Sequence, residues 1–197
     1  MENELKFDSE EERLFYLYLE ELQENGYIDK FTFHEDKFIL SEQVKYNWLK
    51  KTNKRSIKMS SALLQEHVYS PDFHIHWNMK AYRIFYHDIF DEEHKLESTP
   101  FVSNINSDGT NAESIIEIKP NFDFQNMTRL SIINGKWVYD KYKIFVQKII
   151  PIGNESCLFA KTFVPQKALL TKKTNKPKKY KFVVKSLKEF IKGLENV

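Results

Sequence analysis

The chain has 197 residues and carries 30 Lys+Arg against 28 Asp+Glu, a net charge of +2, so it is predicted to form one domain with elaborations rather than two. With 41% hydrophobic and 15% aromatic residues it can bury a core, which excludes a disordered or low-complexity chain. A single cysteine, Cys157, excludes a disulfide framework and a cysteine-rich zinc module; no stretch reaches the ~20 apolar residues of a membrane span, and the acidic start is unlike a signal peptide. The expectation is a soluble, cytoplasmic protein with no membrane partner.

Near-neutrality hides a segregation of charge. Residues 1–24 hold nine acids and two bases, whereas residues 161–192 hold eleven lysines and one acid. Such a basic block is either a solvated face or a surface for a phosphate backbone.

Ser9 opens the first predicted helix. Leu14, Phe15, Tyr18, Leu19 and Leu22 form its apolar stripe, Ser9 and Glu12 its capping box, and Asn25-Gly26 its stop. Residues 31–40 read as a strand broken near Glu35-Asp36, and residues 41–58 as a basic, Asn-containing stretch of loop with some helix. In residues 68–77, Asp72, His74 and His76 alternate with Phe73, Ile75 and Trp77, the period of a strand. Residues 79–111 read as a long excursion from the core, and residues 114–119 as a short β-branched strand closed by Pro120. Met127, Leu130, Ile133, Trp137 and Val138 keep a helical period over residues 126–142, which outweighs a hairpin signal at Asn134-Gly135. Residues 144–151 and 158–164 are predicted strands and residues 172–181 a basic loop. The last helix has Ser186 and Glu189 as its capping box and Leu187, Phe190, Ile191 and Leu194 as its apolar face. This order predicts an α/β or α+β sheet with helices on its faces.

Glu117 and Lys119 lie two apart on a predicted strand, so they leave the same face, while Ile116 and Ile118 leave the other. A carboxylate there can hold a divalent metal while the ammonium orients an attacking water or offsets charge on a phosphate. Asp72, after Pro71 at the head of its strand, can supply a second hard oxygen ligand to Mg²⁺. Glu-any-Lys recurs at Glu4, Glu35 and Glu93, but only Glu117 stands in an apolar strand that precedes a helix. A cross-strand ion pair on a solvated face is the competing account.

These residues resemble the PD-(D/E)XK nuclease superfamily. Ser70-Pro71-Asp72-Phe73 is similar to its Pro-Asp strand, Ile116-Glu117-Ile118-Lys119 to its Glu-x-Lys strand, and Ser9-Glu10-Glu11-Glu12 before Leu17-Tyr18-Leu19 to the Ser-x-x-Glu helix opening of phage-type members, among them junction-resolving and TnsA-type endonucleases. The resemblance implies a restriction-endonuclease-like α/β core of helix, three strands, helix and strand over residues 1–165. It carries an insertion at about 79–112, where the family usually has a tight hairpin, and a basic loop and amphipathic helix follow over residues 166–197. It further implies Mg²⁺-dependent DNA cleavage, with Mn²⁺ able to substitute. The implied metal ligands are Asp72, Glu117 and Glu12, and Lys119 completes the catalytic set. The setting would be a host cytoplasm if the chain is phage-encoded, and a homodimer would allow both strands to be cut. The alternative is a catalytically inactive nuclease-fold protein that binds nucleic acid or serves assembly.

Helical geometry bears on which glutamate serves. Glu11 lies near the middle of the apolar stripe and Glu12 at its edge beside Leu19, from which it can reach sideways to a site. Glu12 can also simply close the capping box.

His74 and His76 share a face with Asp72, and two histidines plus a carboxylate can bind zinc or iron; alternate polar residues facing solvent account for them as well. DNA contacts are expected from Arg129, Lys136 and Lys141 on the second helix and from Lys172, Lys173, Lys176, Lys178, Lys179 and Lys181, with Tyr180 and Phe182 able to stack on a base. No nucleophile elbow or phosphate-cradling glycine loop is present.

Overall fold

The computed structural model describes residues 5–89, 99–105, 112–121, 128–171 and 176–194. The first helix, α1 (Glu10–Glu24), starts where Ser9 accepts the Glu12 amide on its hydroxyl, and ends at Gly26, whose φ of +74° reverses the chain. Leu14, Phe15, Tyr18, Leu19 and Leu22 are fully buried, each burial worth roughly 1.5–3 kcal/mol. They pack on one face of a six-stranded mixed sheet.

Beyond Gly26 the chain runs through β1 (Ile28–Phe33), β2 (Phe38–Ser41), β3 (Val44–Lys51), β4 (Ser56–Leu64), β5 (His67–Tyr69) and β6 (Phe73–Trp77). It continues through β7 (Tyr86–Asp88), β8 (Phe101–Ile105), β9 (Ala112–Ile118), α2 (Thr128–Tyr142), β10 (Val146–Ile149), α3 (Leu158–Lys161) and α4 (Leu187–Leu194). Strand β6 pairs antiparallel with both β1 and β9. The other edge of β9 is shared: β8 pairs antiparallel along its start and β10 parallel along its end, and Lys119 N–H extends that ladder to the Ile149 carbonyl at 2.8 Å. Helix α2 is the crossover that a parallel β9–β10 pair requires. Phe73, Ile75, Ile116 and Ile118 face α1, while Ile115 joins Leu40, Tyr69, Val138 and Val146 in a smaller cluster on the opposite face.

Four expectations are corrected. Residues 41–58, expected as loop with some helix, fall largely in the antiparallel hairpin β3–β4 of residues 44–64, in which Tyr46, Trp48 and Lys50 alternate with Lys45, Asn47 and Leu49 at a strand period. Within the stretch 79–111, expected as an excursion from the core, the described strands β7 and β8 instead extend the sheet, and Phe85, Tyr86 and Phe101 are buried. Residues 158–164 open as the helix α3 rather than a strand, the apolar run being too short to declare its period. Helix α2 forms as expected but turns a different face inward: Ser131, Asn134 and Val138 are buried, while Leu130, Ile133 and Trp137 are exposed. Helix α4 packs on the main core through Leu187 and through Phe190, whose ring lies 5.6 Å from that of Phe85.

Candidate active site

Asp72 stands at the head of β6, and Pro71 before it offers no N–H to a neighbouring strand. Three backbone links fix it: its N–H donates to the Ile116 carbonyl at 3.1 Å, its carbonyl accepts the His34 amide at 2.9 Å, and its Oδ2 accepts the Ile118 amide at 2.5 Å. The carboxylate is therefore aimed by the β6–β9 pairing that carries Glu117. Lys119 Nζ donates to Glu117 Oε1 at 2.8 Å, and the Tyr69 hydroxyl donates to Glu117 Oε2 at 2.6 Å. Glu117 and Lys119 side chains are 12% and 17% exposed, so this is no ion pair on a solvated face.

Glu12 is buried at the first turn of α1 and does two things at once. Its carboxylate accepts the Ser9 hydroxyl at 2.9 Å and the Asp8 amide at 3.0 Å, closing the capping box, and its Oε2 lies 3.7 Å from His34 Nε2. His34 Nδ1 is in turn 3.8 Å from Asp72 Oδ1, so the imidazole bridges the two acids. His34 has a φ of +56°, and its backbone N–H donates a hydrogen bond to the Asp72 carbonyl. Glu11 is half-buried on the same helix.

The electrostatics follow from crowding acids in a partly dry place. Burial, then the charges of Glu117 and Glu12, push the Asp72 carboxyl up to about 7, against the opposing pull of the Ile118 amide and Lys119. Burial and the Glu117 carboxylate also push the Tyr69 hydroxyl far above its ordinary range, so it stays a donor. Lys148, opposite Glu117 in the β9–β10 register, is held below its ordinary value by burial and then by Lys119. Asp72, Glu117, Lys119 and Glu12, singled out in the sequence, thus come together. His34, Tyr69 and Lys148 join them, and sequence reading missed all three.

The expected nucleic-acid contacts are more scattered. Arg129, Lys136 and Lys141 are exposed on α2, Lys141 donating to the Ile39 carbonyl at 2.8 Å. Lys176, Lys179 and Lys181 are exposed, Lys178 pairs with Glu10 at 3.1 Å, and Lys172 and Lys173 lie outside the described residues. Tyr180 and Phe182 pack partly against the main core, with the Tyr180 hydroxyl donating to the Ala168 carbonyl at 2.8 Å, so packing accounts for them rather than base stacking. The sequence reading also overlooked the β3–β4 hairpin. Between Val44 and Leu64 it carries Lys45, Lys50, Lys51, Lys54, Arg55 and Lys58 and no acid, and every residue of β3 is exposed. It springs from the β2–β5 pair, whose Tyr69 reaches Glu117.

Neither a protein-family model, nor a curated protein, nor a solved structure matches the chain. No described helix is long and apolar enough to cross a membrane.

Proposed function

We propose that the protein is a divalent-metal-dependent endodeoxyribonuclease with the core of the PD-(D/E)XK superfamily. The observation that carries this reading is one of placement. Two antiparallel pairings, β1–β6 and β6–β9, and a parallel β9–β10 pair joined through α2 gather Asp72, Glu117 and Lys119 at one end of the sheet, with Glu12 at the overhanging start of α1. That connectivity supports the reading, since helix, strand, strand, strand, helix, strand is the order the resemblance implies once β2 to β5 are taken as an insertion after the first strand and β7 and β8 as one before the third.

The donor set suits Mg²⁺. Asp72 and Glu117 offer carboxylate oxygens, and the upward shift of Asp72 marks an excess of buried negative charge that a hard cation would relieve. Asp72 and Glu117 would hold the ion, with Glu12 beside them; when bound, it would supply Lewis acidity toward a phosphate oxygen and lower the pKa of a bound water. The chain's own groups do the rest. Lys119 fixes Glu117 by its hydrogen bond and presents the remaining N–H donors to an attacking water. Tyr69 holds the other Glu117 oxygen, and Lys148 adds positive charge where a phosphate would approach. The basic hairpin and the exposed lysines Lys176, Lys179 and Lys181 would hold the phosphate backbone.

The test is incubation with supercoiled, single-stranded and branched DNA, with and without Mg²⁺ or Mn²⁺. Cleavage should require the ion, and Asp72→Ala, Glu117→Ala and Lys119→Ala should each abolish it, leaving the chain folded and able to bind DNA. DNA binding by the wild type with no cleavage under any of these conditions would sink the enzymatic reading and leave an inactive nuclease-fold binding protein.

A further inference from the structure

Along β6, two residues on from Asp72, a second cluster of metal-binding side chains lies outside the nuclease machinery. His74 and His76 leave the same face of β6, and Glu113 of β9 stands directly opposite His76. His74 Nε2 lies 3.1 Å from Glu113 Oε2, His76 Nδ1 lies 3.2 Å from Glu113 Oε1, and the two rings stack with centroids 4.3 Å apart. On the far side of His74, Nδ1 is 2.8 Å from Asp36 Oδ2 in the turn between β1 and β2. We infer that His74, His76 and Glu113 form a site for a first-row transition-metal ion of the Zn²⁺ class, separate from the Asp72–Glu117 site, with Asp36 orienting His74.

Three features carry the inference. The first is spacing: ligands about 2.0–2.1 Å from a tetrahedral centre are about 3.3 Å from one another, each histidine nitrogen lies close to that from one of the two Glu113 oxygens, and one ligand atom from each of the three residues falls mutually within 4.8 Å. The second is the bonding of His74. A neutral imidazole has one N–H and one lone pair, so it can donate to only one carboxylate, yet a carboxylate faces each of its nitrogens. If Nδ1–H donates to Asp36, then Nε2 turns toward Glu113 either a lone pair that a metal ion between them would take up or, in the imidazolium, a second N–H; metal titration tells the two apart. The resulting chain of carboxylate, histidine and metal is the outer-shell arrangement that fixes tautomer and ring direction in histidine metal sites. The third is donor chemistry, since two imidazoles and one carboxylate favour a borderline ion over Mg²⁺, which prefers an all-oxygen shell. Lys30, across from His76 in the β1–β6 register, is exposed.

The side chains of His74, His76 and Glu113 are between 16% and 22% exposed, open enough for an ion to enter and dry enough to strengthen its hold. Three protein ligands leave a fourth position for water. Bound there, the ion would staple β6 to β9 beside the catalytic strand ends.

The experiment strips the full chain with a chelator and titrates it with Zn²⁺ and with Co²⁺ in excess Mg²⁺, which occupies the oxygen-only site. Bound metal is read by equilibrium dialysis, and the ligand field by the visible bands of Co²⁺. One equivalent should bind per chain. His76→Ala and Glu113→Gln should each lose that equivalent, and Asp36→Asn should weaken binding by about 10–100-fold. Asp72→Asn with Glu117→Gln should leave it in place. Glu113→Gln is nearly isosteric, so it serves if an alanine variant fails to fold, and it should leave Mg²⁺-dependent cleavage intact, which separates this inference from the nuclease reading. No bound equivalent in the wild type, an equivalent that survives both His76→Ala and Glu113→Gln, or one lost with Asp72→Asn and Glu117→Gln would each overturn the assignment.

Discussion

Asp72 lies partly buried at the head of β6 beside the Glu117 and Glu12 carboxylates. Its carboxyl is raised from 3.8 to about 7, so between those values the folded chain holds a proton that the unfolded chain has released. Stability in the absence of metal should therefore fall as pH rises through that window, by up to about 1.4 kcal/mol per unit, and level off above it. Asp72→Asn keeps an oxygen for the Ile118 amide but removes the charge. Thermal melts in chelator should show this variant less dependent on pH from 4 to 7 and more stable than wild type at pH 8, and added Mg²⁺ should recover stability at pH 8 in wild type alone. A wild type whose melting is flat across the window would show that the acids around Asp72 are not crowded in solution. The sequence makes Asp72, Glu117 and Lys119 visible because the period of two places each on a definable strand face. His34, Tyr69 and Lys148 are invisible to it for the converse reason. His34 and Lys148 reach the site through backbone pairing with distant segments and Tyr69 through a hydroxyl bond across to β9, and a one-strand pattern carries no register.

At the scale of elements, the β3–β4 hairpin is the largest departure from expectation. Its sequence does alternate, but Lys and Leu at neighbouring positions suit helix equally, and the turn at Thr52 to Arg55 has no glycine to announce it. The stretch reads as basic in the sequence, and the fold shows that its six bases, with no acid among them, stand on an exposed arm. A two-stranded ribbon of this kind fits the major groove of duplex DNA, and Trp48 and Tyr46 share one of its faces. Replacing Lys50, Lys51, Lys54 and Arg55 with glutamine should weaken DNA binding without shifting the melting temperature. It should also flatten the dependence of affinity on salt by about 0.9 in slope for each phosphate no longer neutralised. An unchanged slope would mark the arm as a solvated ornament. Helix α2 teaches a related point, since its period was readable while its orientation was not. The Ser131, Asn134, Val138 face is inward because Val138 meets Ile115 and Val146 across the sheet, a meeting that no local pattern encodes.

Across the whole molecule, the opposed charge blocks of the two chain ends meet in space. Glu10 at the start of α1 accepts both Arg13 at 2.7 Å and Lys178 at 3.1 Å, and Lys167 pairs with Glu20 and Glu24 farther along the same helix. Part of the C-terminal basic block is thus neutralised within the protein and is not offered to a phosphate backbone. The Arg13 hydrogen bond, and after it Lys178, hold the Glu10 carboxyl down to about 2 against the opposing effect of burial. A depressed carboxylate stabilises the fold above its unfolded value, near 4.5, and loses that contribution as pH falls toward 2. Because Glu10 is half exposed and solvent screens it, the contribution should be no more than about 1 kcal/mol. Glu10→Gln should accordingly destabilise the chain by that amount at pH 7 in denaturant titrations, and the difference from wild type should vanish as pH drops from 4.5 to 2. It should also release Lys178, so the salt dependence of DNA binding should steepen or hold, never flatten. A flatter dependence in Glu10→Gln would show that Glu10 positions the basic segment for DNA rather than restraining it.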